Sequence, residues 1–225
     1  MPAASESSLI RLGGLAIIVG MVIHVVLNVV LKEFPPEGAT SSELQEYLAR
    51  EAGSWATIHG FRYLAFTCIV LFAAALFVRT CRTGVTRETG WGVVGLLGAA
   101  VFVTNGIVTN GVEILAFLNT APVSQSPDLF WLLFRLTRVL FTAEVVTWSI
   151  LILGFSVAGW RSATLPRWLS ALGVLQVVAG MTAGVFIASA LSGDEVAIPL
   201  EVASISGLLW FLSAGVYLLA RGDAV

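Results

Sequence analysis

Nine polar side chains set inside otherwise apolar stretches are the residues of this 225-residue sequence best placed to do chemistry: His24, Asn28, His59, Arg62, Asn110, Glu113, Arg138, Glu144 and Glu201. Ionisable groups buried among apolar residues are costly and by default mark function. Carboxylates grouped with histidine and arginine suit acid–base chemistry on an apolar substrate, because burial keeps a carboxyl protonated closer to neutrality and so able to donate. Glu113 or Glu144 is the expected acid, with His59 and Arg62 setting its protonation and orienting a polar substrate end. His24, Asn28, Asn110, Arg138 and Glu201 are expected to bind that substrate. The competing reading makes the same charges a structural ion-pair network in a non-enzymatic transport, binding or accessory subunit.

Helical spacing groups these residues by face. His24 and Asn28 are four apart, His59, Arg62 and Tyr63 share a face, and Asn105, Thr109 and Glu113 form a stripe. Arg135, Arg138 and Thr142 also share a face, but at ~100° per residue Glu144 points roughly 120° away from Arg138. Glu144 therefore needs a partner from another helix, and Arg62 is expected to supply it. Thr104-Asn105-Gly106 and Thr109-Asn110-Gly111 repeat a turn-forming Asn-Gly pair inside one apolar run. They predict either a locally unwound helix exposing backbone groups, as in transporter sites, or an intact helix whose glycines pack on a neighbour.

Other chemistries find less support. The two histidines would have to face one another to ligate a haem, yet their depths differ by roughly 10 Å when counted at ~1.5 Å per residue. A zinc site of His24, His59 and Glu113 lacks any ligand spacing such as HExxH. There is no Gly-x-Ser-x-Gly, Walker or dinucleotide motif, so no cofactor is expected. Cys68 and Cys81 fall at different depths and predict neither a disulfide nor a metal motif.

The elements that must position these groups follow from composition. Hydrophobic residues make up 57% of the chain and charged ones 12%, about half the share usual in a soluble domain. Mean hydropathy is +0.92. Apolar runs at 9–31, 55–78, 91–118, 133–160, 168–191 and 200–219 each approach or exceed the ~20 residues that cross a bilayer. The predicted fold is an all-α membrane protein, a single integral-membrane domain over 1–225 forming a six-transmembrane-helix bundle. The first run is too long for a signal peptide and lacks a cleavage pattern. Trp55, Trp91, Trp131, Trp160 and Trp168 fall at the edges of these runs, where an amphipathic ring favours the headgroup zone. Net charge is −2, with a pI near 5.7. Nothing basic is offered to nucleic acid, so the expected partners are the bilayer and an apolar or amphipathic small molecule.

Orientation follows from basic residues, which short cytoplasmic loops retain. Arg11, Arg79, Arg82, Arg87, Arg161, Arg167 and Arg221 lie toward one side, which places both termini in the cytoplasm. The opposite, outer side is acidic, and the nine polar candidates concentrate in the outer half of the bundle. The first outer loop contains Ser42-Glu43-Leu44-Gln45, read as a capping box opening a short amphipathic helix with Leu44, Tyr47 and Leu48 on one face. It is expected either to lie on the membrane or to cover an outward-opening cavity. Gly180 and Gly184, like Gly92, Gly95 and Gly98, read as helix-packing positions.

Arg11-Leu12-Gly13-Gly14-Leu15, the long outer loop, and Leu165-Pro166-Arg167-Trp168-Leu169 followed by Gly173 resemble a bacterial multi-pass membrane family of unknown function. The resemblance implies a compact six-helix bundle in the bacterial inner membrane and brings no activity with it. In architecture alone, a polar cluster inside a helical bundle is also similar to small membrane-integral terpene cyclases and isomerases. The function expected from the residues is binding, and transformation by protonation, of a lipid-like or isoprenoid molecule entering from the outer leaflet.

Overall fold

The computed structural model describes residues 4–27, 35, 39–81, 86–118, 125–185 and 197–221. Among them there is no strand, and six helices are long and apolar enough to cross a membrane. They are α1 (Ala4–Val25), α2 (Ser41–Cys81), α3 (Thr86–Phe117), α4 (Pro127–Arg161), α5 (Arg167–Val185) and α6 (Ala197–Arg221). Each packs on its neighbours in chain order and α6 returns to α1, which closes a ring, while α4 also touches α2 and α6 across it. The end where α2, α4 and α6 begin is called distal, and the end bearing both termini of the ring proximal.

The amphipathic segment of the first long loop is continuous with the second span. No proline or other strong stop interrupts 41–81, so the two form one helix of 41 residues, roughly 61 Å at ~1.5 Å per residue and about twice the hydrocarbon thickness. Its first turns, with Glu43, Glu46, Arg50 and Glu51, project beyond the apolar zone. The capping box sits two residues earlier than the sequence reading placed it. The Glu43 amide donates to Thr40 Oγ1 at 3.4 Å, while the Thr40 amide donates to Glu43 Oε2 at 2.8 Å. Thr40 wins over Ser42 because its carbonyl takes the first helical bond, from the Leu44 amide at 2.9 Å. These bonds from Thr40 hold the Glu43 carboxyl below its ordinary pKa.

The expected face of Leu44, Tyr47 and Leu48 is buried, and it packs with Leu27, Trp55, Ile58, Phe117 and Phe130 into a distal apolar layer. Trp55 is accordingly not a headgroup anchor. It is 1% exposed, stacks on Phe117 at 3.7 Å and donates through Nε1 to Tyr47 Oη at 3.0 Å. Trp160 and Trp168 do stand exposed at the proximal edge.

Glycines set the closest helix approaches. A Cβ on Gly98 would lie 2.7 Å from Leu151 Cα, and one on Gly154 would lie 2.5 Å from Gly95 Cα, so α3 and α4 meet backbone to backbone. Gly180 faces Ser149 and the Val145 carbonyl, and Gly184 faces Val146, which seats the GxxxG of α5 on α4. Gly13 abuts α2 and Gly14 abuts the Gly215 carbonyl of α6, so the glycine pair of α1 closes the ring. Helix α3 is intact through both Thr-Asn-Gly copies, with Gly106 against the Phe66 ring and Gly111 facing open space. The proximal interior is filled by edge-on contacts among Phe72, Trp210, Phe211 and Trp148, with Phe102 beside Trp148.

Candidate functional site

Between the distal apolar layer and this proximal aromatic core lies a cavity of about 40 Å³. Four helices build it. α1 contributes Met21 and His24, with Leu27 just past its end, and α2 contributes Arg62, Ala65, Phe66 and Ile69. α3 supplies Phe102, Gly106, Thr109 and Glu113, and α4 supplies Phe141, Glu144 and Trp148. His24, Arg62, Glu113 and Glu144 therefore meet, although they are spread over 120 residues of sequence. The period of α2 turns His59 and Arg62 inward while Tyr63 stays exposed, and on α3 it buries Thr109, Asn110 and Glu113 together.

The structure pairs Arg62 with Glu113, the other carboxylate of the cavity. Arg62 Nη1 donates to Glu113 Oε2 in an ion pair whose side chains are 13% and 6% exposed. Glu144 lines the same cavity. Depth alone suggested Arg62 and Glu144. The antiparallel pairing of α2 with α3 brings Glu113 within the guanidinium's reach, and Arg extends its long stem toward the distal end.

His59 is placed one level distal to the cavity. Its Nδ1 is 2.6 Å from Asn110 Oδ1, and Asn110 Nδ2 donates to the His59 carbonyl at 3.4 Å, so side chain and backbone are clamped by one amide. His59 also stacks on Trp55 at 5.7 Å. The Asn105 amide, donating to the Leu140 carbonyl at 3.3 Å, ties α3 to α4. His24 lines the cavity while His59 does not, so the two imidazoles are not presented to one space. Among the described residues no three His, Cys, Asp or Glu side chains converge as metal ligands.

The remaining candidates are placed elsewhere. Arg138 is exposed, with its guanidinium carbon 5.9 Å from the centre of the Phe134 ring, and Glu201 is exposed near the start of α6. Neither lines the cavity. Asn28 lies outside the described residues. Sequence reasoning missed Phe66, Phe102, Phe141 and Trp148 as cavity walls, since apolar side chains carry no signal of a site. One signal was available: Trp148 and Trp210 are the two tryptophans away from span edges, and both are buried.

No family model, curated protein or solved structure matches the chain.

Chemically, the site offers a positive group fixed by one carboxylate, a second carboxyl on the facing wall, and an imidazole. At roughly 10–15 Å³ per water, its volume suits about three waters or one small polar group. The body of an isoprenoid needs several hundred Å³ on the usual scale of ligand pockets.

Proposed function

We propose that this multi-pass protein resides in the bacterial inner membrane with both termini cytoplasmic, and that its cavity receives the polar end of a lipid-like or isoprenoid molecule. The convergence of His24, Arg62, Glu113 and Glu144 on one small cavity inside an apolar bundle carries this reading. Volume limits what enters to a hydroxyl-, carbonyl- or phosphate-sized group, and the tail remains on the lipid-facing side. In this reading the Arg62–Glu113 pair orients the polar group and Glu144 is the acid: its O–H bond breaks as the proton moves to the bound oxygen, and the carboxylate recovers a proton as product leaves. His59 acts as a positioning residue through Asn110.

Lipid extraction and mass spectrometry of the protein purified in native nanodiscs test the proposal. A lipid-like molecule is expected to be enriched over the bulk membrane, retained by Glu144→Gln and lost from Arg62→Met. Equal lipid content in protein and bulk membrane would refute binding. Unaltered turnover of the bound molecule in Glu144→Gln would refute the role of that acid.

The direct ion pair between Arg62 and Glu113 favours a second reading, a binding or accessory subunit in which the charges hold helices together. The two diverge in Glu144→Gln: lost turnover with thermal stability unchanged supports the acid, and a large loss of stability supports the structural network.

A further inference from the structure

Below the cavity floor a second row of polar atoms runs toward the proximal end, between α4, α5 and α6. Trp148, a wall of the cavity, turns the Nε1 side of its indole toward Gly207. A Cβ on Gly207 would lie 2.9 Å from Trp148 Cζ2, 3.2 Å from Cε2 and 3.4 Å from Gln176 Cγ. Gln176 spends its amide N–H on Ser149 Oγ at 2.9 Å and keeps Oε1 toward the interior. Three residues nearer the proximal end on both α5 and α6 the arrangement recurs: a Cβ on Gly173 would stand 3.0 Å from Trp210 Nε1 and against Ser156 Oγ.

Trp148 Nε1, Gln176 Oε1, Trp210 Nε1 and Ser156 Oγ make no hydrogen bond among the described residues. Their residues are 6%, 0%, 0% and 2% exposed. A buried polar atom left without a partner is costly, and lipid offers none. The set contains two donors, one acceptor and a hydroxyl that does both. It carries no charge, so it matches a neutral ligand with two-way hydrogen bonding rather than an ion. Glycine at both levels omits a methyl group that would collide with Trp148 and with Ser156, and so lets these polar residues approach the helix backbones.

We propose that water molecules bound at these two levels extend the cavity into the bundle. The Trp148 indole N–H donates to one water, which donates in turn to Gln176 Oε1. The Trp210 indole N–H and Ser156 Oγ hold the next. The file gives the Glu144 cavity a polar continuation away from the distal end, and it stands whether the cavity takes a lipid or only its own ion pair.

Nuclear magnetic resonance on the full chain in lipid nanodiscs, labelled with nitrogen-15 at tryptophan and assigned with Trp148→Phe and Trp210→Phe, tests the file. Both indole protons are expected to exchange with water at least about tenfold faster than the backbone amides of Leu151 and Ile152 beside them. Gln176→Leu is expected to slow Trp148 about tenfold and leave Trp210 unchanged, with the Trp210 signal reporting that the variant still folds. If that variant does not fold, Gln176→Met is read in its place. Indole protons as slow as the neighbouring amides would overturn the inference, as would an unaltered Trp148 rate in the Gln176 variant.

Discussion

Replacing Glu113 with glutamine keeps the shape of the side chain and removes its charge, which leaves the Arg62 guanidinium in a site where the two side chains are only 13% and 6% exposed. Breaking a buried pair by neutralising one partner costs about 3–5 kcal/mol, because the remaining ion keeps its desolvation penalty without the Coulombic return. The lower end applies here, since the glutamine carbonyl still accepts from Arg62 and Glu144 lines the same cavity. About 3 kcal/mol corresponds to a fall of roughly 6–12 °C in Tm for a chain of this length. Thermal unfolding in detergent, followed by intrinsic tryptophan fluorescence at one scan rate, measures it. The double variant Arg62→Met with Glu113→Leu should recover most of the loss, since apolar residues of similar volume fill the site without desolvated charge. A Glu113→Gln protein melting within about 1 °C of the parent would refute the argument, because a pair so buried cannot lose a charge at no cost.

Asn110→Leu removes both clamps on His59 and should cost about 1–3 kcal/mol in the same melting assay, with Asn110→Asp retaining more because an acceptor still faces Nδ1. Gly111→Ala should stabilise by about 0.5–1 kcal/mol, since its helix position faces open space, whereas Gly98→Ala drives a methyl into the Leu151 backbone and should destabilise by about 1–3 kcal/mol. The Thr40–Glu43 cap holds the folded carboxyl below its ordinary value of 4.5, so its contribution is complete above about that pH and disappears as pH falls through the lower folded value. Hydrogen exchange at the Leu44 amide should therefore differ between the parent and Glu43→Gln near neutrality and converge in acid. Cysteines placed at Ser126 and Arg161, in a chain with Cys68 and Cys81 changed to serine, should react with an impermeant maleimide in intact cells at Ser126 only; the reverse pattern would invert the proposed orientation.

The six helices were legible because a bilayer imposes length and apolarity on every span, a demand that composition records directly. The meeting of His24, Arg62, Glu113 and Glu144 was legible for a related reason: an ionisable group within a span must turn inward, and helical period fixes which groups turn together. That Arg62 reaches Glu113 was not. It depends on the rotation and register of α2 against α3, set by close contacts such as Gly106 on Phe66, which no spacing within one helix encodes. Arg138 and Glu201 escape the inward rule because they stand near distal helix ends, where a polar tip reaches water. The length of α2 was obscured by reading Trp55 as a membrane-edge residue, although only Gly53, and no proline, separates it from Leu48.

The ion pair also bears on why this bundle has a cavity at all. Around it, apolar packing is dense: Trp55, Phe117 and Phe130 close the distal side and Phe72, Trp210 and Phe211 the proximal side, all at 1% exposure or less. A methionine and a leucine in place of Arg62 and Glu113 would fill the same volume and continue that packing without desolvating two charges. Stability therefore gives no reason for charge at this point, and the packing above and below does not need it. Under the proposed function, access of a polar group does, because a fixed guanidinium and a second carboxyl at Glu144 are worth most where water is scarce and competing dipoles are few. The cavity's small volume sharpens the same argument: it leaves room for the end of a molecule that can be recognised by charge, while the hydrocarbon that would follow is already at home in the bilayer.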